Sequence, residues 1–172
     1  ENPQQPCIFI LGGAKADDSL EISKYVLDNK IANCVLTGGV VGQVFLVAKG
    51  IDLGKPNMEF LEKNELTGLV PGIQELTHKY KNNVETPRDV AIEKDGKRKE
   101  IAIGELPTNT SIFDIGNETI DDYAKIIQNA KSIVISGPMG KYEDEKFKKG
   151  TKAILEEIAH TQTFSLAGGG HT

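Results

Sequence analysis

Cys7-Ile8-Phe9-Ile10-Leu11-Gly12-Gly13-Ala14-Lys15 is the stretch on which the fold turns. Five apolar residues, β-branched and aromatic among them, stop abruptly at a glycine pair, as a short buried strand does. The next segment changes period. Asp17 or Asp18 is placed to cap a helix, and Leu20, Ile22, Tyr25, Val26 and Leu27 supply its apolar side. The unit then repeats. Val35 to Thr37 is a second buried strand, stopped by Gly38-Gly39, and a second helix spans about Val41 to Ala48 before Gly50.

Residues 58 to 82 carry Leu66, Leu69, Val70, Ile73, Leu76 and Tyr80 at helical spacing, which predicts one or two amphipathic helices with a break near Pro71-Gly72. Val90-Ala91-Ile92 and Ile101-Ala102-Ile103 flank a charged stretch from Glu93 to Glu100, a hairpin with Asp95-Gly96 in its turn and a solvated tip. The β-then-α alternation resumes with a helix over about Glu118 to Ala130. A strand over Ser132 to Ile135 runs into Gly137-Pro138-Met139-Gly140, a helix covers about Asp144 to Ala159, and a last strand, Thr163 to Ala167, meets Gly168-Gly169-Gly170-His171-Thr172. Strands alternating with helices require parallel crossovers. The expected fold class is therefore α/β, a parallel-sheet three-layer α/β/α (Rossmann-like) domain with a small β-hairpin insertion. No linker divides it, so residues 1–172 are read as one domain.

Composition narrows the function. At 38% hydrophobic and 26% charged, the 172 residues suit a globular domain. A net charge of -5 argues against a duplex nucleic-acid partner, which needs a basic face. No run of about 18 apolar residues exists to span a membrane. Residues 1 to 6 are polar and proline-containing, without the order of a signal peptide. Cys7 and Cys34 fall in apolar runs and read as inert core thiols, so the expected compartment is the cytoplasm. His78 and His160 fall in or at the ends of helices and read as surface residues; no Cys/His metal spacing and no nucleophile elbow occur.

Glycine turns at 12–13, 38–39, 137–140 and 168–170 each follow a strand. One such pair alone is usually a tight turn. In a parallel sheet, however, all strand C-termini share one edge, where these folds bind ligands. Glycine lets backbone N–H groups approach a ligand, and a following helix N-terminus favours an anion such as phosphate. Lys15 adds a cation. Neither a P-loop nor a spaced dinucleotide fingerprint is present, which discounts an NAD-dependent oxidoreductase and leaves a nucleotide site of another design.

The glycine clusters also match a family in order. Gly12-Gly13-Ala14-Lys15, Thr37-Gly38-Gly39, Asp114-Ile115-Gly116-x-x-Thr119, Ser136-Gly137-Pro138-Met139-Gly140-x-x-Glu143, Phe147-x-x-Gly150-Thr151 and Gly168-Gly169-Gly170-His171-Thr172 together resemble the phosphoglycerate kinases. The resemblance covers nearly the whole chain and is to the C-terminal, nucleotide-binding domain. It implies ADP or ATP as ligand, with Mg2+ carried on the nucleotide. It places Gly12, Gly13 and Lys15 beside the phosphates and Gly38, Gly39, Phe113 and Asn57 around adenine. Pro138 would lie by the ribose, with Glu143, expected to be a buried carboxylate, accepting from its hydroxyls. Gly168, Gly169 and Gly170 would present N–H groups near the moving phosphoryl, with Lys15 and Gly170 the catalytic candidates, and Thr172 would contact phosphate.

Three positions depart from the commoner family pattern: Ser19 replaces a lysine, Ser136 an asparagine, and His171 an aspartate that meets the metal-nucleotide. Together they look like the archaeal branch. No protein ligand for metal is assigned, and Lys141 is a candidate substitute cation. The partner implied is an N-terminal domain that binds 3-phosphoglycerate and lies outside these residues. The expected function is phosphoryl transfer between 1,3-bisphosphoglycerate and ADP in glycolysis and gluconeogenesis. The alternative is a non-catalytic nucleotide-binding module, and the 172 residues alone are expected to bind nucleotide without turnover.

Overall fold

A computed structural model describes residues 2–169. Among them, five parallel strands form one sheet in the order β3-β2-β1-β7-β8: β1 Cys7–Leu11, β2 Cys34–Thr37, β3 Val84–Glu85, β7 Ser132–Ser136 and β8 Phe164–Gly168. The strand period of two divides β1 between two cores. Phe9 and Leu11 join a cluster with α1 Ala16–Asp28, α2 Gly39–Ala48, α3 Lys55–Lys63 and α4 Val70–Lys79. Ile8 and Ile10 face the opposite side, against α5 Asn117–Gln128 and α6 Lys149–His160. This is the three-layer α/β/α arrangement expected. No helix among the described residues is long and apolar enough to cross a membrane.

The insertion is larger than a hairpin. β4 Asp89–Lys94 and β5 Lys97–Ala102 pair antiparallel around Asp95-Gly96, whose φ angles are both positive, as a two-residue hairpin turn demands. A third strand, β6 Ile112–Ile115, pairs with the other edge of β4. The hairpin's tip, Lys94 to Lys97, is exposed as its charges suggest, but the strand behind it carries a charge that is not solvated. Arg98 is only 15% exposed in its side chain and donates to Asp114 at 2.7 Å, to the Ile115 carbonyl at 2.9 Å and to the Lys146 carbonyl at 3.2 Å.

Helix boundaries shift for identifiable reasons. The break in 58–82 falls before Pro71, not at it. α3 stops at Lys63, Leu66–Leu69 form a 3-10 turn, and Pro71 sits in the first turn of α4, where its missing N–H costs no hydrogen bond. α6 begins at Lys149 rather than near Asp144, because the Asp114 carboxylate accepts the Gly150 N–H at 2.8 Å and Phe147 is buried in the turn ahead of it. Asp17 and Asp18 lie inside the first turn of α1 and do not cap it, and Tyr25, assigned to its apolar side, is 63% exposed. All five residues of β8 are exposed, so the described layers do not cover that edge strand as the other four are covered. Cys7 is buried and Cys34 half-buried. Burial pushes both thiols up, Cys34 to about 12, which fits inert core residues.

Asp114 is fully buried in its side chain, and burial raises its carboxyl above the ordinary range against the opposing pull of Arg98 and the Gly150 and Ile115 amides. Removing the cation leaves an uncompensated buried acid. Arg98→Met is therefore expected to lose about 3–5 kcal/mol of stability, whereas exposed Lys97→Met should stay within about 0.5 kcal/mol. Urea denaturation of both variants measures this, and equal midpoints would contradict the assignment.

Candidate nucleotide site

The strand ends are level. Leu11 registers with Thr37 on one side and Ser136 on the other, and Ser136 registers with Gly168, so all four glycine turns leave the sheet at one edge. Three of them are joined by backbone hydrogen bonds. The Gly12 N–H donates to the Ser136 carbonyl at 2.8 Å, and the Gly13 N–H to the Pro138 carbonyl at 2.7 Å. The Gly38 N–H donates to the Leu11 carbonyl at 3.0 Å, and the Gly39 N–H to the Met139 carbonyl at 2.8 Å. The Gly12 and Gly13 amides, expected beside the phosphates, and those of Gly38 and Gly39, expected under adenine, are thus engaged in holding the turns to one another.

Such contact leaves no room for side chains. Gly39 has φ +58°, and a Cβ there would meet the Gly13 nitrogen and the Pro138 oxygen at 2.8 Å. Gly137 has φ +82°, and a Cβ would meet the Gly12 oxygen at 2.5 Å. Beneath the joint, Met139 is wholly buried, and its amide donates to the Thr151 hydroxyl at 2.9 Å. The buried Tyr123 hydroxyl donates to the Thr37 carbonyl at 2.6 Å, fixing α5 to the strand that leads into Gly38.

A cavity of about 420 Å³ opens beside the joint. Gly13, Ala14, Gly39 and Pro138 line one part of it; Val90, Ile112 and Phe113 of the small sheet line another, with Leu46 and Phe60 also contributing apolar surface. Polar groups border it too. Glu143 lines the cavity but is exposed, so the expectation of a buried carboxylate is corrected: it stands at the rim. Lys141 stands there as well, its ammonium 5.1 Å from the Phe113 ring centroid, a cation–π distance. Asp114 lies at the wall with its oxygens committed to Arg98, Gly150 and Ile115.

Lys15 is exposed just ahead of α1, bordering an adjoining cavity that shares Ala14 and Phe60 with the first. Among the described residues the amides of Ala14 and Lys15, unlike those of Gly12 and Gly13, donate to no protein acceptor at this helix start. Gly12 and Gly38 lie below the cavity as parts of the joint. Asn57 is not brought to it. Its amide donates to the Leu53 and Thr110 carbonyls, both at 3.0 Å, and accepts from the Ile112 N–H at 2.8 Å, clipping α3 to β6. Ser19 is buried within α1. Gly168 ends β8, and Gly169 follows at φ +105°. Gly170, His171 and Thr172 lie outside the described residues.

The model of the family described as phosphoglycerate kinase matches residues 1–172. The chain belongs to the phosphoglycerate kinase family. Archaeal members are close in sequence. The phosphoglycerate kinase of Pyrococcus abyssi is 43% identical over 173 residues, covering 98% of this chain and 42% of the relative. That of Methanothermus fervidus is 43% identical over 171 residues, covering 99% and 42%. The chain thus spans about two fifths of the length of the curated relatives it matches. The crystal structure of the phosphoglycerate kinase from Pyrococcus horikoshii superposes with a TM-score of 0.93 at 40% identity, over 98% of this chain and 42% of that one. The Coxiella burnetii enzyme gives 0.85 at 32% identity, over 99% and 44%.

Sequence reasoning missed Gln43, Leu46 and Phe60 as cavity residues and Tyr123 and Arg98 as supports. Gln43 carries a visible signal, being a polar residue in the apolar helix Val41 to Ala48. If the joined turns depend on backbone contact, Gly137→Ala should cost roughly 2 kcal/mol or more. Gly104→Ala, with open space around its added carbon, should melt like the wild type. A Gly137→Ala protein of unchanged melting temperature would refute the joint.

Proposed function

We propose that residues 1–172 are the nucleotide-binding domain of a phosphoglycerate kinase, taking ADP or ATP along the edge where the glycine turns meet. The reaction served is transfer of a phosphoryl group between 1,3-bisphosphoglycerate and ADP, giving 3-phosphoglycerate and ATP. One observation carries the reading: an apolar cavity of nucleoside size lies beside an exposed lysine at the start of a helix. Base and ribose fit the apolar part, and the phosphates extend toward Lys15, the amides of Ala14 and Lys15 that donate to no protein acceptor, and the positive end of α1. Asp17 and Asp18 in that first turn oppose the anion, which makes the Lys15 ammonium the more necessary.

Magnesium in this reading arrives on the nucleotide phosphates, whose charge it shares with Lys15. Phosphoryl transfer of this kind needs positioning and charge neutralisation and no covalent enzyme intermediate. The acid substrate belongs to a second, N-terminal domain, and closure of the two would exclude water and align the reacting oxygens. Residues 1–172 alone are accordingly proposed to bind nucleotide without turning it over, because the acid substrate would be held in line by that other domain.

Isothermal titration with MgADP tests the reading. Lys15→Ala should weaken binding at least about tenfold, the loss of a charge-assisted phosphate contact, and Lys97→Ala should leave it unchanged. Equal effects would remove Lys15 from the phosphate site. Glu143→Ala should weaken ADP several-fold but leave inorganic tripolyphosphate, which has no ribose, unaffected. Matched losses for both ligands would mean that Glu143 does not hold the ribose.

A further inference from the structure

Gln43 is 8% exposed and lines the apolar cavity one helical turn beyond Gly39, on the same face of α2. Its Nε2 donates to the Ile112 carbonyl at 3.3 Å. Only the nitrogen end can serve a carbonyl acceptor, so this bond decides which way the amide points. The Oε1 end then accepts from no group among the described residues. No buried side-chain nitrogen or oxygen there lacks a partner, so Oε1 is not sealed in the core; it opens on the cavity that Gln43 borders.

The remaining polar side chains at the cavity do not compete for this role. Asp114 is committed to Arg98 and two amides, while Lys141, Tyr142 and Glu143 are exposed at the rim. Gln43 is thus a deeply buried acceptor with an open lone pair, held in one orientation inside an apolar wall. A ligand that fills the wall and presents no donor leaves that oxygen desolvated and unpaired, which is costly. A ligand with an N–H at that point satisfies it.

We infer that Gln43 is a specificity-determining residue for the base. Its Oε1 accepts from an exocyclic amino group, as on adenine, and disfavours a carbonyl in the same place, as on hypoxanthine or guanine. This rests on the nucleotide site proposed above. Lys141, a donor at the rim, would bias the site the opposite way, toward a carbonyl. Burial and the fixed orientation favour Gln43, because a solvated ammonium loses little when it is left unpaired.

The test is titration of the 172-residue chain with the magnesium complexes of ADP, purine riboside diphosphate and inosine diphosphate, which share ribose and phosphates and differ at the base. ADP should bind about fivefold or more tighter than either analogue, the worth of one neutral hydrogen bond. Gln43→Met keeps the side-chain length and removes the acceptor, so it should bring the ratios close to one. A merely structural role for Gln43 would weaken all three ligands together and leave the ratios standing. If the variant does not fold, the wild-type series still decides: purine riboside diphosphate binding as tightly as ADP overturns the inference, and inosine diphosphate binding tighter than ADP assigns base choice to Lys141. Failure of all three ligands to bind removes the nucleotide site itself, and the role of Gln43 with it.

Discussion

Backbone contact between three glycine turns organises this edge of the molecule. Amides of Gly12, Gly13 and Gly39 donate to carbonyls of Ser136, Pro138 and Met139, so the ends of β1, β2 and β7 are tied together beyond the last rung of the sheet. The bonds form only because no Cβ stands between the chains, and Gly39 and Gly137 hold positive φ angles that other residues adopt at a cost. What the glycines provide is close approach of one strand's turn to the next. The next residues along, Ala14 and Lys15, take no part in this joint, since among the described residues their amides donate to no protein acceptor.

Two buried aspartates do for the helices what the glycines do for the strands. Asp89 accepts from the Glu118 and Thr119 amides at 3.0 and 2.9 Å and so holds the start of α5. Asp114 accepts from the Gly150 amide and holds the start of α6. Negative charge at a helix N-terminus is favourable, and both acids come from the small sheet. That sheet therefore locks onto two helices of the main domain and presents Ile112 and Phe113 as a wall of the cavity. Arg98 reaches back from the hairpin to neutralise Asp114 and to hold the Lys146 carbonyl, which steadies the turn between Glu143 and α6.

Most of the architecture was legible in the sequence because its signals are local. Apolar runs ended by glycine marked β1, β2 and β7, and Asp95-Gly96 marked the hairpin turn. β3 was missed because two residues carry no period, and β6 because Asp114 interrupts its apolar pattern. The site was legible as an edge and as a set of turns, but the use of each group was not. Whether a glycine amide faces a ligand or a neighbouring turn depends on partners more than a hundred residues away, as for Gly12 and Ser136. Arg98 looked like a solvated charge since its partner Asp114 is distant in sequence. Asn57 looked free for a ligand, yet three backbone groups of Leu53, Thr110 and Ile112 claim its amide.

The central claim is that nucleotide meets the protein at the C-terminal edge of the parallel sheet. Backbone amide shift mapping by NMR on addition of MgADP addresses it most directly. The account predicts the largest changes at Ala14, Lys15, Gly39, Gln43, Phe113, Lys141 and Glu143, with Asn33, Lys131 and Ser132 at the opposite edge unmoved. Changes gathered around Asn33, Lys131 and Ser132, with the first group silent, would contradict it.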